Sequence, residues 1–291
     1  MSAPTEQSVP SPPGSATAEN NAAAIAAMEK QIFAERRAER RRTSLLVWTI
    51  RIVGAAIIIG AWYIASHHGL INPLFISSPE QIAEGFVAQL GEPKFWVDVS
   101  ATFGGAMAGL VAGGVLGIVT GVVFSRSNVI ERAATPFLTL ANSLPRPALA
   151  PIFILWFGLG FMPKALVAAS VVYFLLLTST LGALRGIDHD IMQLTESLSM
   201  SPVQRFFKIE MPSALPSIVG ALRLGAVYSV LGAVLAEMVG SYYGLGQRLV
   251  VLTSNFQVAE SFAVLLFMGI LSMALDFAIS GIEHIVKRRA N

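Results

Sequence analysis

Six apolar segments run along the chain, separated by shorter stretches rich in Gly, Pro and charged residues. A helix needs about 20 apolar residues to cross the hydrocarbon core of a bilayer. We therefore expect spans near residues 45–66, 101–124, 135–157, 164–184, 214–238 and 262–284. Prolines interrupt the third segment and predict a broken or kinked helix there. The pattern indicates an all-α membrane protein with about six transmembrane helices.

The loop between the fourth and fifth segments, residues 188–212, is polar and has helical periodicity. Asp188 and Asp190 are candidate helix caps ahead of an apolar stripe, and Ser201-Pro202 is a second helix start. These signals predict two short helices that meet near Ser199–Ser201, the second broken by Pro212 and Pro216. The apolar positions are Ile191, Leu194, Leu198, Val203, Phe206, Phe207 and Ile209. The loop is either a docking surface for a cytoplasmic partner or an interfacial hairpin packed on its own helices.

The sequence divides into four regions, of which the third contains a predicted helix. Ser78-Pro79-Glu80, followed by apolar residues at helical spacing, predicts a capped amphipathic helix at the outer interface. The regions are a disordered tail with a basic cytoplasmic helix at 1–44, the first transmembrane helix at 45–70, an external amphipathic segment at 71–100, and a core with the loop at 101–288.

Composition supports a membrane class. The 291 residues are 54% hydrophobic and 13% charged, whereas a soluble domain carries about a quarter of its residues as charged ones. Gly and Pro between the apolar runs favour helices over a barrel, whose strands alternate with period two. The sequence contains no cysteine, which excludes disulfides and thiolate metal sites.

Lysine and arginine predict the orientation, because they are enriched in cytoplasmic loops. With both termini inside, the 188–212 loop is cytoplasmic. The inside set is then Lys30, Arg36, Arg37, Arg40, Arg41, Arg42, Arg126, Arg132, Arg185, Arg205, Lys208, Lys287, Arg288 and Arg289, and the outside set is Lys94, Lys164 and Arg248.

Four polar residues are candidates for a translocation pathway: Asn142, Arg146, Glu237 and Ser241. Glu237 is either a pathway residue or an interfacial carboxylate partly in water. Arg146 either lines the pathway or caps backbone carbonyls at the broken span. No histidine has a metal-ligand partner at a helical spacing, so neither a metal nor a catalytic site is expected.

Two further features concern helix packing. Arg223 is expected to pair with an acid or with lipid phosphate. A row of glycines gives the second span a small-residue face, for packing inside the subunit or at a dimer interface. The row is Gly104, Gly105, Gly109, Gly113, Gly117 and Gly121.

Three stretches together resemble the permease subunits of type I ATP-binding-cassette importers, in the nitrate, sulfonate and taurine branch. They are the 188–212 loop, Leu144-Pro-Arg-Pro-Ala-Leu-Ala-Pro-Ile-Phe-Ile-Leu-Trp-Phe-Gly-Leu-Gly160, and Val234-Leu-Ala-Glu-Met-Val-Gly-Ser-Tyr-Tyr-Gly-Leu-Gly246. The family signature in the loop is Glu-Ala-Ala, a Gly further on and then Leu-Pro. With Met211-Pro212 aligned on the last pair, Gln193 takes the place of the Glu, and Ser199 that of the Gly. Serine there is strained if the backbone needs a positive φ.

The resemblance implies a partner ATPase, a second permease subunit that forms a homodimer with this chain, and an external solute-binding protein. The sequence contains no Gly-x-x-x-x-Gly-Lys-[Ser/Thr] loop, so ATP is expected on the partner and no cofactor in this chain. The implied location is the bacterial inner membrane. Residues implied to contact the ATPase are Gln193, Thr195, Glu196, Leu198, Ser199, Met200, Ser201, Pro202 and Phe206.

The alternative is a stand-alone secondary transporter or channel. Such a protein shows inward-facing acids or helix breaks that repeat in two related halves. One broken span and one polar loop are visible here, without a second copy of either. The substrate is open at this stage, since the branch handles small anionic compounds and also neutral heterocyclic precursors.

Overall fold

The computed structural model describes Met28, Thr43, residues 46–68 and residues 75–290, with side chains up to residue 281. The expected tail and basic helix at 1–44 therefore lie outside the described residues, apart from two positions. Helix α1 (Leu46–His67) is long and apolar enough to cross a membrane. Most of it belongs to a first compact unit, Met1–Ala65, and the remaining helices form a second, Ser66–Asn291.

The regular elements in the described part of the second unit are all helical. They are α2 (Pro79–Leu90), α3 (Pro93–Arg126), α4 (Asn128–Ser143), α5 (Arg146–Phe157), α6 (Phe161–Arg185), α7 (His189–Ser197), α8 (Pro202–Arg205), a π-helical turn (Phe206–Glu210), α9 (Met211–Val239), α10 (Leu245–Ser254) and α11 (Val258–Ala290). The ends of the bundle are named here by their connections. The loop end contains the end of α6 and the start of α9, and the far end contains the end of α9 and the start of α6.

Among the described residues, five helices are long and apolar enough to span a membrane, or six if the bent pair α4–α5 is one span. The axes of α4 and α5 differ by 91°, so the break predicted from the prolines is confirmed. The prediction of an all-α membrane protein with about six spans is confirmed as well.

Helix α2 begins where the sequence predicts it. The Ser78 side chain accepts from the Gln81 backbone, and the Gln81 side chain accepts from the Ser78 backbone, which is a capping box. Helix α3 differs from prediction because it starts at Pro93, well before residue 101, and runs for 34 residues. Proline at the first turn of a helix needs no hydrogen-bond partner for its nitrogen.

The glycine row on α3 packs against α6 within the unit. A Cβ on Gly109 would overlap Ala168, and one on Gly113 or Gly117 would overlap the α6 backbone at Ala169 or Tyr173. The absent side chains let the two helix backbones approach closely. The interpretation of the row as packing inside the subunit is therefore confirmed for these positions.

The second helix of the 188–212 loop differs from the predicted short element. Pro202 to Val239 is one continuous helical segment of 38 residues, with Pro212 in the first turn of α9 and Pro216 inside it. In an α-helix the Pro212 ring would clash with the carbonyl of residue 208. The π-turn Phe206–Glu210 widens the helix at this carbonyl, so the prediction that these prolines break the helix is wrong.

Candidate coupling loop and translocation site

The corner of the 188–212 loop is a Schellman motif at the end of α7. The Met200 N–H donates to the Thr195 carbonyl at 3.1 Å, and the Ser199 N–H donates to the Glu196 carbonyl at 2.9 Å. The residue at the position of Ser199 adopts left-handed backbone in this motif, and glycine is usual there. Ser199 has φ 51°. The positive φ at which a serine is expected to be strained is therefore present.

Both flanks of the corner are capped by side chains. The Asp188 carboxylate accepts from the Asp190 N–H at 2.9 Å and starts α7. Ser201 starts α8 through a capping box with Gln204. Two helices therefore meet near Ser199–Ser201, as the periodicity predicts, although only α7 is short. These contacts stabilise the corner through hydrogen bonds between residues close together in the sequence.

A buried carboxylate attaches the corner to the bundle. Glu210, in the π-turn, accepts from two Arg126 N–H groups at 3.2 and 2.6 Å and from the Arg205 Nε–H at 2.9 Å. The Arg126 guanidinium also lies 4.8 Å from the centroid of the Phe206 ring. One carboxylate therefore joins the end of α3, α8 and the start of α9.

The loop presents apolar side chains on its outer surface. Leu194, Leu198, Val203 and Phe207 are each more than half exposed. Of the residues implied to contact an ATPase, Gln193, Glu196, Leu198, Ser199, Ser201 and Pro202 are exposed, Met200 and Phe206 are half-buried, and Thr195 is buried. The Thr195 hydroxyl donates to the Met192 carbonyl at 2.7 Å, so this side chain supports α7 from within.

The break between α4 and α5 is occupied by Arg146. Its guanidinium donates to the Ala141 carbonyl at 3.4 Å, to the Asn142 carbonyl at 3.3 Å and to the Asn142 Oδ1 at 2.6 Å. The guanidinium carbon lies 4.7 Å from the centroid of the Phe174 ring. Capping of carbonyls at the break, one of the two roles considered for Arg146, is thus present.

The far end contains a buried ion pair that sequence reasoning missed. Lys164 Nζ donates to Glu237 Oε1 at 2.7 Å, and the side chains are 4% and 0% exposed. Glu237 also accepts from the Thr102 hydroxyl at 2.8 Å and from the Gly246 N–H at 3.0 Å. Glu237 is therefore not an interfacial carboxylate in water. Lys164, counted in the outside set at the end of a predicted span, is buried.

The same contacts hold the turn between α9 and α10. The Leu245 N–H donates to the Thr102 hydroxyl at 2.8 Å, and the Gly244 N–H donates to Asp98 Oδ1 at 2.9 Å. Lys164 and Ser241 both donate to the Tyr243 carbonyl, each at 2.8 Å. The hydroxyl of Ser241, a pathway candidate from the sequence, thus forms a hydrogen bond within its own turn.

Arg248 on α10 extends this polar cluster. It donates to Asp98 Oδ2 at 3.1 Å and to Gln89 Oε1 at 2.7 Å, and it pairs with Glu92. No pattern in the sequence predicted α10 as a separate helix. Asp98 and Gln89 lie about 150 residues from Arg248 along the chain, so periodicity within a segment cannot reveal these contacts.

Two other expectations concern the partner of Arg223 and metal binding. Arg223 on α9 forms a two-point contact with Asp276 on α11, at 2.5 and 2.7 Å, which confirms pairing with an acid. Within the part of the chain that the structure describes, no group of three or more His, Cys, Asp or Glu residues could hold a metal ion.

Comparison with known proteins identifies the class. A family model for the binding-protein-dependent transport system inner membrane component matches residues 113–291. The chain belongs to this family, and it is accordingly a multi-pass inner-membrane protein and a permease component of an ABC importer.

Individual relatives agree with the family. The chain is 29% identical to the formylaminopyrimidine transport permease protein ThiX of Halalkalibacterium halodurans, over 74% of this chain and 86% of the relative. It is 27% identical to the taurine transport system permease protein TauC of Escherichia coli, over 68% of this chain and 74% of the relative. The fold is similar to a solved inward-facing structure of the MetNI methionine ABC transporter, with a TM-score of 0.60 at 20% identity, over 67% of this chain and 99% of that one.

Proposed function

We propose that this chain is the non-catalytic membrane subunit of an ATP-driven importer, and that its 188–212 loop docks on a separate cytoplasmic ATPase. The observation that carries the proposal is the corner at Ser199. It combines exposed apolar side chains with a rigid attachment to the membrane helices. A docking surface that transmits movement needs both properties.

The attachment supports a coupling role. Helix α8 continues through the π-turn into α9, so Pro202–Val239 is one segment. Glu210 ties the same segment to Arg126 at the end of α3. A displacement of the corner by a partner is thereby transferred to two long helices at once, because packed helices and ion pairs resist local deformation.

The exposed side of the corner is the surface proposed to contact the ATPase. It consists of Gln193, Glu196, Leu198, Ser199, Ser201 and Pro202. Met200 and Phe206 lie partly behind them, and the buried Thr195 fixes α7. ATP is bound by the partner, in keeping with the missing phosphate-binding loop in this sequence.

The other partners follow from the family. The proposed assembly contains a second permease subunit, in the form of another copy of this chain, and an external protein that delivers a small solute. Both termini and the 188–212 loop lie in the cytoplasm, as the distribution of Lys and Arg favours. The relatives include a taurine and a formylaminopyrimidine permease, and on this basis the proposed solute is a small polar compound.

The experiment that tests the proposal is recovery of ATPase activity with the tagged chain from native membranes. We expect the unmodified chain to retain an ATPase and Ser199→Arg to lose it, because the arginine side chain fills the surface on which a second backbone would lie. Ser199→Ala is the matched control, since it keeps a Cβ at the same φ without added bulk.

Two results would overturn the proposal. The first is an unmodified chain that inserts in the membrane and recovers no ATPase, which favours a stand-alone transporter. The second is a Ser199→Arg variant that inserts and retains the ATPase, which shows that the corner is not the docking surface.

A further inference from the structure

Arg146 is a cation at the middle of the membrane segment without a carboxylate partner among the described side chains. Its neighbour Phe174 lies near the centre of α6 (Phe161–Arg185). Helix α5 then runs toward the far end, since Ala150 packs on Val167 and Ala236. A charge at this depth is costly, roughly 2.5–3.5 kcal/mol on insertion scales, and usually marks a substrate or ion pathway.

Five other basic residues of the helical bundle differ from Arg146 in having a carboxylate partner. Each of the following pairs joins a basic side chain to a carboxylate: Arg126–Glu210, Lys164–Glu237, Arg185–Glu131, Arg223–Asp276 and Arg248–Asp98. Arg146 instead contacts two carbonyls, an amide oxygen and an aromatic face. Its positive charge is therefore not neutralised by the residues that hold it.

The contacts hold the guanidinium in place without using all its donors. An arginine carries five N–H groups, and three contacts to α4 occupy its two terminal nitrogens. The Phe174 ring fixes the plane of the group. A fixed guanidinium with free N–H groups is a preorganised site for a carboxylate or sulfonate, which it binds through charge-assisted hydrogen bonds.

Helix α4 places a polar stripe on the approach to Arg146. Residues at spacings of three and four lie on one face of a helix, and on α4 this face holds Asn128, Glu131, Thr135, Thr139 and Asn142. Thr135, Thr139 and Asn142 are exposed, and none of the α4 residues is buried. The opposite face carries Phe137 and Leu140. Polar faces on membrane helices lie against protein or water-filled cavities rather than lipid.

We propose that the break between α4 and α5 is an anion-binding position on the solute path, where Arg146 binds a sulfonate or carboxylate group and the Asn142 amide is a second donor. The inference specifies the solute class of the proposed function. It rests on that function, because the solute path is that of the proposed importer. Sites at membrane midplanes formed by discontinuous helices are a general solution for solute binding, because broken helices expose backbone and side-chain polar groups there.

The test uses the absence of cysteine from the sequence. Thr139→Cys introduces a single thiol one turn from Asn142 and leaves both proposed donors intact. The full chain in nanodiscs of neutral lipid is reacted with two water-soluble methanethiosulfonates, one bearing a sulfonate and one a trimethylammonium group. Leu140→Cys, on the apolar face, is the matched control.

We expect Thr139→Cys to react with both reagents and to favour the sulfonate reagent, while Leu140→Cys reacts slowly. Adding Arg146→Gln should lower the sulfonate-to-ammonium rate ratio by about tenfold, since a fixed charge concentrates counter-ions locally. Arg146→Lys should keep most of the ratio. Ethanesulfonate should slow labelling, and the uncharged ethanesulfonamide should not.

Three outcomes would overturn the inference. One is a thiol at position 139 that reacts no faster than the one at 140, since the face is then not hydrated. Another is a rate ratio that Arg146→Gln leaves unchanged. The third is a loss of protection when anionic phosphatidylglycerol replaces the neutral lipid of the nanodisc. If ethanesulfonate then no longer slows labelling, Arg146 is assigned to a lipid headgroup. The labelling needs no ATPase, so its result is separate from the recovery experiment.

Discussion

The two ends of the helical bundle use ion pairs differently. At the far end, Lys164 and Glu237 are almost completely buried. The Gly246 N–H donates to Glu237, and the Tyr243 carbonyl accepts from Lys164. At the loop end, Arg126, Arg185 and Arg205 are each more than a quarter exposed while they bind Glu210 or Glu131. The far end is therefore a closed polar core, and the loop end is a set of contacts open to water.

The difference lies in what a rearrangement costs at each end. Breaking a buried pair leaves an uncompensated charge, so the far end resists any rearrangement of α3, α6 and α9. At the loop end, the more exposed Arg185–Glu131 pair should cost little to break. The buried Glu210 carboxylate still attaches the corner to the bundle, so the loop end is open to water at its arginines while the corner stays attached.

The largest expected effect is at the far end. Lys164→Met leaves the buried Glu237 carboxylate without its cation, and we expect a loss of about 3–5 kcal/mol in the free energy of unfolding. Arg185→Met at the loop end should cost no more than about 1 kcal/mol, because the pair it removes is partly exposed. Unfolding in mixed micelles by titration with sodium dodecyl sulfate measures both.

A double variant checks the cause of that loss. Lys164→Met combined with Glu237→Met removes both charges, and we expect it to recover most of the stability. Equal losses for Lys164→Met and Arg185→Met would show that the two ends do not differ in the proposed way.

A smaller effect is expected within the loop end, between two glutamates that contact Arg205. The Glu210 side chain is 7% exposed and that of Glu196 is 72% exposed. Glu210→Gln should cost about 1–3 kcal/mol, because two arginines lose a charged acceptor. It should also lower the recovery of ATPase activity from membranes.

Glu196→Gln is the control for this prediction. Its contact with Arg205 is 3.8 Å long, and we expect stability to change by no more than about 0.5 kcal/mol. If Glu196→Gln lost the ATPase while Glu210→Gln kept it, the corner would act through a direct charge contact and not through its attachment to the bundle.

The smallest expected effect is at the corner itself. Ser199→Gly relieves the left-handed backbone at φ 51°, and we expect a gain of about 0.5–1 kcal/mol, reduced by the entropy of the unfolded glycine. Ser197→Gly, in the last turn of α7, should instead lower stability by up to about 1 kcal/mol. A loss of stability in Ser199→Gly would contradict the left-handed assignment.

Local patterns in the sequence were sufficient for the spans, the broken third segment and the caps at Ser78, Asp188 and Ser201. Each of these depends on residues within a few positions of one another. The loop corner was found for the same reason. The positive φ at Ser199 was only a conditional expectation, because serine is compatible with several backbone conformations.

The far-end cluster could not be predicted in this way. Thr102, Lys164 and Glu237 lie on three helices and meet only in the folded chain. Hydropathy places Lys164 at the outer end of the span predicted at 164–184, and a charge at a span end is normally solvated. The continuous helix through Pro212 was missed because a π-turn has no sequence signature comparable to a cap or a proline.

The π-turn at Phe206–Glu210 has a consequence for how this segment can vary in length. A π-turn holds one residue more than an α-helical turn, because its hydrogen bonds run between residues i and i+5. Deletion of one residue here would return the segment to α-helical bonding, in which the Pro212 ring meets the carbonyl four residues before it. Natural sequences that keep a proline at position 212 should therefore keep the additional residue as well.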